Sequence, residues 1–373
     1  MAASADGRES PLGRVAALGQ SVWIDYLSRE LIRGGKLKEL IERDSISGAT
    51  SNPTIFDQAI EGSAAYDPAI EKLGKEGLDA ERCFWELAIE DIREACDLFL
   101  PIYQGSDAQD GFVSLEVNPH FAYDTLATYE AAIALHERVD RPNLLVKIPA
   151  TKPGLAAIED VIAAGRSVNV TLIFSLQRYD EVVESYIRGL ERLVAQGGDP
   201  AKVHSVASFF VSRIDTEADR RLQGLGRSDL QGKLAIANAK LAYRHYKERF
   251  SQLRWLELER KGANRQRVLW ASTSTKNPAY SDVLYVEALI GPETVNTMPE
   301  ETIRAYQDHG RPQPRLEEGV EEARALFEEL AAVGLDYDDV TATLEREGVE
   351  KFEASYDRLL ETLGKKLGAL SPA

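Results

Sequence analysis

Short apolar runs of β type alternate along this chain with longer stretches whose apolar residues recur every three or four positions. The β-type runs fall at 21–26, 47–52, 112–118, 143–150, 167–174, 205–212, 268–273 and 294–298. Several are almost continuously apolar, the pattern of parallel strands covered by helices. Helical spacing is plainest over 80–100, 125–139, 176–195 and 230–255. Alternation of strand and helix predicts a parallel sheet. Eight repeats predict that the sheet closes on itself, so the fold expected is α/β, a single (β/α)8 TIM barrel with extra helices. No Gly-x-Gly-x-x-Gly follows the first run, which disfavours an open dinucleotide-binding sheet. The small, polar residues 1–11 are expected to be disordered. The barrel domain is expected over 12–373, including an acidic helical stretch from about 314 to 370 that follows a Gly/Pro break at 310–314. The helical pattern of 224–264 predicts an outer packing element rather than a lid.

Active sites of such barrels gather at the C-terminal ends of the strands. Polar residues late in apolar runs are therefore the candidates. Lys147 stands in Leu144-Leu-Val-Lys-Ile-Pro149. A charge inside such a run is costly unless it is paired or neutralised. Taken locally, Lys147 suits a lysine with a buried stem and a solvated head. It equally suits an amine that desolvation keeps neutral, ready to attack a carbonyl. In Phe112-Val-Ser-Leu-Glu-Val-Asn118, strand alternation puts Ser114, Glu116 and Asn118 on one face, expected to line the barrel interior. Asn169 with Thr171, and Ser208 with Phe210, repeat that two-residue spacing. Asp25 closes the first run, where a helix cap or turn is the plain alternative. Asn52 precedes Pro53, as at many turns. Arg213 and Lys276 are cations just past strand ends, suited either to a phosphate or to a surface ion pair of little worth.

Composition narrows the chemistry. At 373 residues and 44% hydrophobic, the chain can bury a sizeable core. Its net charge of −17 argues against general nucleic-acid binding, yet a few cations in a cleft still bind a small anion. The two cysteines, Cys83 and Cys96, form no CxxC pair and point to a reducing compartment. No apolar run approaches the about 20 residues that span a bilayer, and the N-terminus lacks a signal-type apolar core, so a cytoplasmic protein is expected. His120, His136, His204, His245 and His309 are scattered without ligand spacing, so no metal and no other cofactor is expected. Gly226 to Lys233 imitates a phosphate loop, but five residues separate the glycines and Leu234 follows the lysine.

Several of these residues fall in recognisable motifs. Gly48-Ala-Thr-Ser-Asn-Pro-Thr54 resembles the second-strand signature of the transaldolase family, and Asn143-Leu-Leu-Val-Lys-Ile-Pro-Ala-Thr151 resembles its Schiff-base strand. Val168-Asn-Val-Thr-Leu-Ile-Phe174 and Ser208-Phe-Phe-Val-Ser-Arg213 are similar to its fifth and sixth strands, in the same order. The resemblance spans about 12–370, and the stretch from Trp270 to Pro278 is similar to the bacterial form with longer insertions. It implies that Lys147 forms the imine and that Asp25 takes the proton from the C4 hydroxyl. Glu116, Thr171 and a water would shuttle protons. Asn52 and Asn169 would hold sugar hydroxyls, and Ser208, Arg213, Ser272 and Lys276 the phosphate. Phe210 beside Glu116 favours a transferase, since the related fructose 6-phosphate aldolases tend to carry Gln and Tyr at those places. One departure stands out: many members have Arg where this chain has Lys276, a point charge without the bidentate fork.

The implied reaction moves a dihydroxyacetone unit from sedoheptulose 7-phosphate or fructose 6-phosphate to glyceraldehyde 3-phosphate or erythrose 4-phosphate, in the pentose phosphate pathway. The partners expected are small sugar phosphates, with a homodimer as the assembly considered, and neither nucleic acid nor membrane. Two alternatives stay open on the sequence. A Schiff-base aldolase would release free dihydroxyacetone without an acceptor. A non-catalytic barrel would give no borohydride-trapped adduct.

Overall fold

A computed structural model of the protein describes residues 10–370. The stretch expected to be disordered lies largely outside them; where it reaches them, Ser10 caps a helix that opens at Pro11. Eight parallel strands form a closed barrel. They are β1 (Gln20–Ile24), β2 (Ile46–Thr50), β3 (Val113–Glu116), β4 (Leu144–Pro149), β5 (Val168–Ile173), β6 (Ser205–Phe210), β7 (Arg267–Ala271) and β8 (Thr294–Met298). Each pairs with the next, and β8 returns to β1 through Gln20↔Thr294 to Ile24↔Met298. Every expected run is a strand. Most are trimmed at the ends, and that trimming leaves Asp25 and Asn52 on the rim.

Register shows which side chains fill the interior, because partnered residues of parallel strands point to the same side. Ser114 of β3 aligns with Thr50, and Glu116 with Lys147, which in turn aligns with Asn169. Trp23 aligns with Gly48 on one side and Thr297 on the other. Trp23 thus lies inside the barrel beneath the rim, fully buried, directly over Gly48. A Cβ at Gly48 would sit 2.6 Å from the indole, so only glycine leaves room for that ring.

The helices expected over 125–139 and 176–195 are Thr125–Val139 and Leu176–Ala195, and that over 80–100 runs on to Gly105. The single helix expected over 230–255 is instead two, Leu234–Arg249 and Leu253–Glu259. In one continuous helix Phe250 and Trp255 would point about 140° apart. The break turns both into the core, with ring centroids 4.6 Å apart. This segment packs on the helices Leu176–Ala195 and Val320–Ala332, as an outer element. At the C-terminus, a turn at Gly334 with φ +88° separates Val320–Ala332 from the long helix Tyr337–Leu370. Leu344, Gly348, Phe352, Tyr356, Leu359 and Leu363 form its buried stripe. The stripe packs on the helix Pro53–Glu61 after β2 and on β5. Among the described residues no helix is long and apolar enough to cross a membrane.

Candidate active site

A cavity of about 280 Å³ opens at the C-terminal mouth of the barrel. Lys147, late in β4, reaches it with its stem inside the barrel and only 4% of its surface exposed. Its Nζ lies 3.2 Å from Glu116 Oε2 on the adjoining strand and donates to the Ser51 carbonyl at 3.3 Å. The alternative of a solvated lysine head is thereby removed: this amine is buried and paired. Burial pushes the Glu116 carboxyl up, Lys147 opposes that rise, and Asp25 adds to it. A carboxyl so placed holds a proton more readily than an exposed one would.

Asp25 lies across the mouth, at the end of β1. Thr50 donates to Asp25 Oδ1 at 2.6 Å and lies 2.8 Å from Thr297 Oγ1. Thr50 has a single hydroxyl hydrogen, and Asp25 receives it, so Thr297 must be the donor to Thr50. This chain of hydroxyls aims the carboxylate. Thr171 also lines the cavity, and its buried Oγ1 has no hydrogen-bond partner among the described residues. Just beyond it, β5 bulges. The register shifts between Val170 and Ile173, and Leu172 takes φ +59°, a conformation a leucine holds only under constraint.

Asn52 is a helix cap at the edge of the cavity. Its Oδ1 caps the helix Pro53–Glu61 by accepting from Ile55 N at 3.0 Å, while the residue also lines the cavity. Asn169 is placed deeper. Its Nδ2 donates to Ser114 Oγ at 3.0 Å and its Oδ1 accepts from Ser208 at 2.7 Å. The amide is a brace across β3, β5 and β6 below the cavity, with one Nδ2 hydrogen left over. Ser208, Phe210, Arg213, Ser272 and Lys276 all line the cavity. The Arg213 guanidinium lies 4.9 Å from the centre of the Phe210 ring. Burial pulls Arg213 below its ordinary value while Asp25 and Glu116 hold it up, and a guanidinium stays charged throughout. Ser272 turns the chain with φ +57° and meets Ser212 hydroxyl to hydroxyl at 2.9 Å. Lys276 donates to Ser274 Oγ at 2.6 Å.

Sequence reasoning missed Thr50, Thr297, Lys351 and Phe352. Thr50 sat inside a motif already singled out. Thr297 had no distinguishing signal, because β8 carries polar residues on both faces. Lys351 and Phe352 belong to the C-terminal helix and reach the cavity by tertiary packing alone. No group of three or more His, Cys, Asp or Glu among the described residues is arranged to hold a metal ion.

A buried, carboxylate-paired lysine faces an aspartate across the C-terminal mouth of a (β/α)8 barrel, the end at which barrel enzymes of this class carry their active sites. The chain belongs to the transaldolase/fructose-6-phosphate aldolase family, whose model matches residues 22–363. It is 50% identical over 360 residues to a transaldolase of Acidothermus cellulolyticus, covering 96% of this chain and 97% of that one. It is 50% identical over 355 residues to a transaldolase of Mycobacterium tuberculosis, covering 94% and 95%. To a protein named transaldolase 2 of Streptomyces avermitilis it is 47% identical over 366 residues, covering 97% and 98%.

Proposed function

We propose that this protein is a transaldolase of the cytoplasm, acting in the pentose phosphate pathway by way of a Schiff base on Lys147. The observation that carries the reading is the Lys147–Glu116 pair at 3.2 Å beneath a cavity that also holds Asp25 and Arg213. Lys147 Nζ adds to the C2 carbonyl of fructose 6-phosphate or sedoheptulose 7-phosphate. The carbinolamine loses water to give a protonated imine, with Glu116 and Thr171 handling the proton. Asp25 then removes the proton of the C4 hydroxyl. The C3–C4 bond breaks, its electron pair moves into the imine as an enamine, and C4 leaves as the aldehyde of an aldose phosphate. The enamine carbon then attacks glyceraldehyde 3-phosphate or erythrose 4-phosphate, and hydrolysis of the new imine frees the product.

The imine matters because a protonated C=N accepts that electron pair more readily than a ketone does. Asn52 would hold sugar hydroxyls, and Ser208, Arg213, Ser272 and Lys276 would receive the phosphate. A transferase must also shield its enamine from protonation until the acceptor arrives, and limiting water is one way to do so. The apolar Phe210 in the wall and the Phe352 ring, 5.6 Å from Lys147 Nζ, support that role.

The test is glyceraldehyde 3-phosphate release from fructose 6-phosphate with and without erythrose 4-phosphate. A transaldolase releases at most one equivalent per site until the acceptor is added and then turns over steadily. Equal steady release in both cases would replace this reading by an aldolase that frees dihydroxyacetone. The absence of release and of any borohydride-trapped adduct would remove the catalytic reading.

A further inference from the structure

The C-terminal helix brings a cation to the cavity that no barrel strand or loop supplies. Lys351 lines the same cavity as Arg213 and Lys276. None of the three makes an ion pair within 4.0 Å among the described residues, although the chain as a whole is strongly acidic. Partial burial pulls the Lys351 ammonium below its ordinary value, and Arg213, Lys276 and Arg358 pull it further. Asp25 and Glu301 line the same cavity but ion-pair with none of the three cations, which repel one another, and an anion of about two charges relieves that repulsion. Arg358 does not join them in this need, because it already faces Asp57 at 3.4 Å.

The helix that carries Lys351 is pinned on both sides of it. On one side Gly348 lies against Leu172 of β5, so close that a Cβ there would be 3.0 Å from the leucine methyl. On the other, Thr54 donates to Ser355 Oγ at 2.8 Å. Between these anchors Phe352 is buried over Lys147, which sets the height and rotation of the turn. Lys351 is thus held at the mouth while its ammonium stays accessible from solvent.

We propose that Lys351 is a phosphate ligand of this site, a determinant of selectivity for phosphorylated over unphosphorylated sugars that is supplied by the C-terminal helix. The proposal deepens the functional reading above and, for its sugar-phosphate part, rests on it. It also bears on Lys276. Where a bidentate arginine is replaced by a point charge, a second ammonium lining the same cavity restores hydrogen bonds to more than one phosphate oxygen.

The experiment compares the full chain with Lys351→Met, which keeps the stem and removes the charge, and with Lys351→Arg, which keeps the charge. Inorganic phosphate binding is followed by calorimetry, and kcat/KM is measured for fructose 6-phosphate and for fructose. Removing one charge-assisted hydrogen bond lowers the phosphate affinity of Lys351→Met about 10- to 100-fold. The preference for fructose 6-phosphate over fructose falls alongside, mainly through KM, and Lys351→Arg recovers most of both. Phosphate affinity equal to that of the parent overturns the proposal, as does an equal loss on both sugars. Should neither sugar form an adduct with any variant while phosphate affinity still drops, the transaldolase reading fails and the anion site stands.

Discussion

At the scale of single residues, the site works by pairing groups that would be costly alone. Lys147 and Glu116 are each almost fully buried, and each compensates the other. Lys147→Ala should therefore abolish borohydride-trapped adduct with fructose 6-phosphate yet leave the fold standing. Its orphaned partner Glu116, already pushed up by burial, takes a proton instead of remaining a bare charge. Mass spectrometry of trapped protein checks this, and an adduct at the parental level on another lysine would remove Lys147 from the role. Asp25→Ala should still trap the imine while C–C cleavage slows by about 100- to 10,000-fold, the range for removal of a general base. Single-turnover cleavage at the parental rate would take Asp25 out of the mechanism. Lys147, Glu116 and Asp25 were legible in the sequence because a charge late in an apolar strand is conspicuous. Thr50 and Thr297 were not, because a threonine in a strand is ordinary until a carboxylate lies 2.6 Å away.

At the scale of elements, close approach decides what sequence periodicity cannot. β2 can pass beneath the Trp23 indole only because residue 48 has no side chain. Gly48→Ala should destabilise the protein by about 1–3 kcal/mol, the usual cost of overpacking a rigid core. Urea unfolding measures it, and a stability equal to the parent would mean that the indole finds another seat. The strands themselves were readable from apolar runs, to within a few residues at each end. The break at Phe250 was not, since helical spacing continues through it and only the burial of both Phe250 and Trp255 demands a turn.

At the scale of the whole molecule, burial couples stability to pH. His136 and His204 are both lowered to about 4 by burial. His136 hydrogen-bonds the Ser167 carbonyl through Nε2 at 2.9 Å, and the His204 ring lies 5.1 Å from Phe112. Their folded-state values lie below the unfolded one, so between about pH 6.5 and 4 the unfolded chain binds protons that the native one does not. Their stabilisation is full above that window and declines as pH falls through it, by up to about 1.4 kcal/mol per pH unit for each histidine. Asp215, raised to about 7 by burial, acts in the opposite sense over much of that range, so a difference between variants is the measurement needed. His136→Gln keeps a donor for Ser167 and cannot titrate. Its stability relative to the parent should improve as pH drops from 6.5 to 4, and a pH-independent difference would show that His136 does not contribute.

The sequence by itself determined the eight strands and their parallel closure, and it marked Lys147 as a candidate. Apolar runs and strand alternation are local patterns, and a buried charge advertises itself locally. Tertiary structure alone decided what surrounds that lysine. The Glu116 and Asn169 registers, the hydroxyl relay onto Asp25, and the Lys351–Phe352 turn over the mouth each join residues far apart in the chain. Their meeting depends on strand stagger and helix docking, which are properties of the closed barrel and of no segment within it.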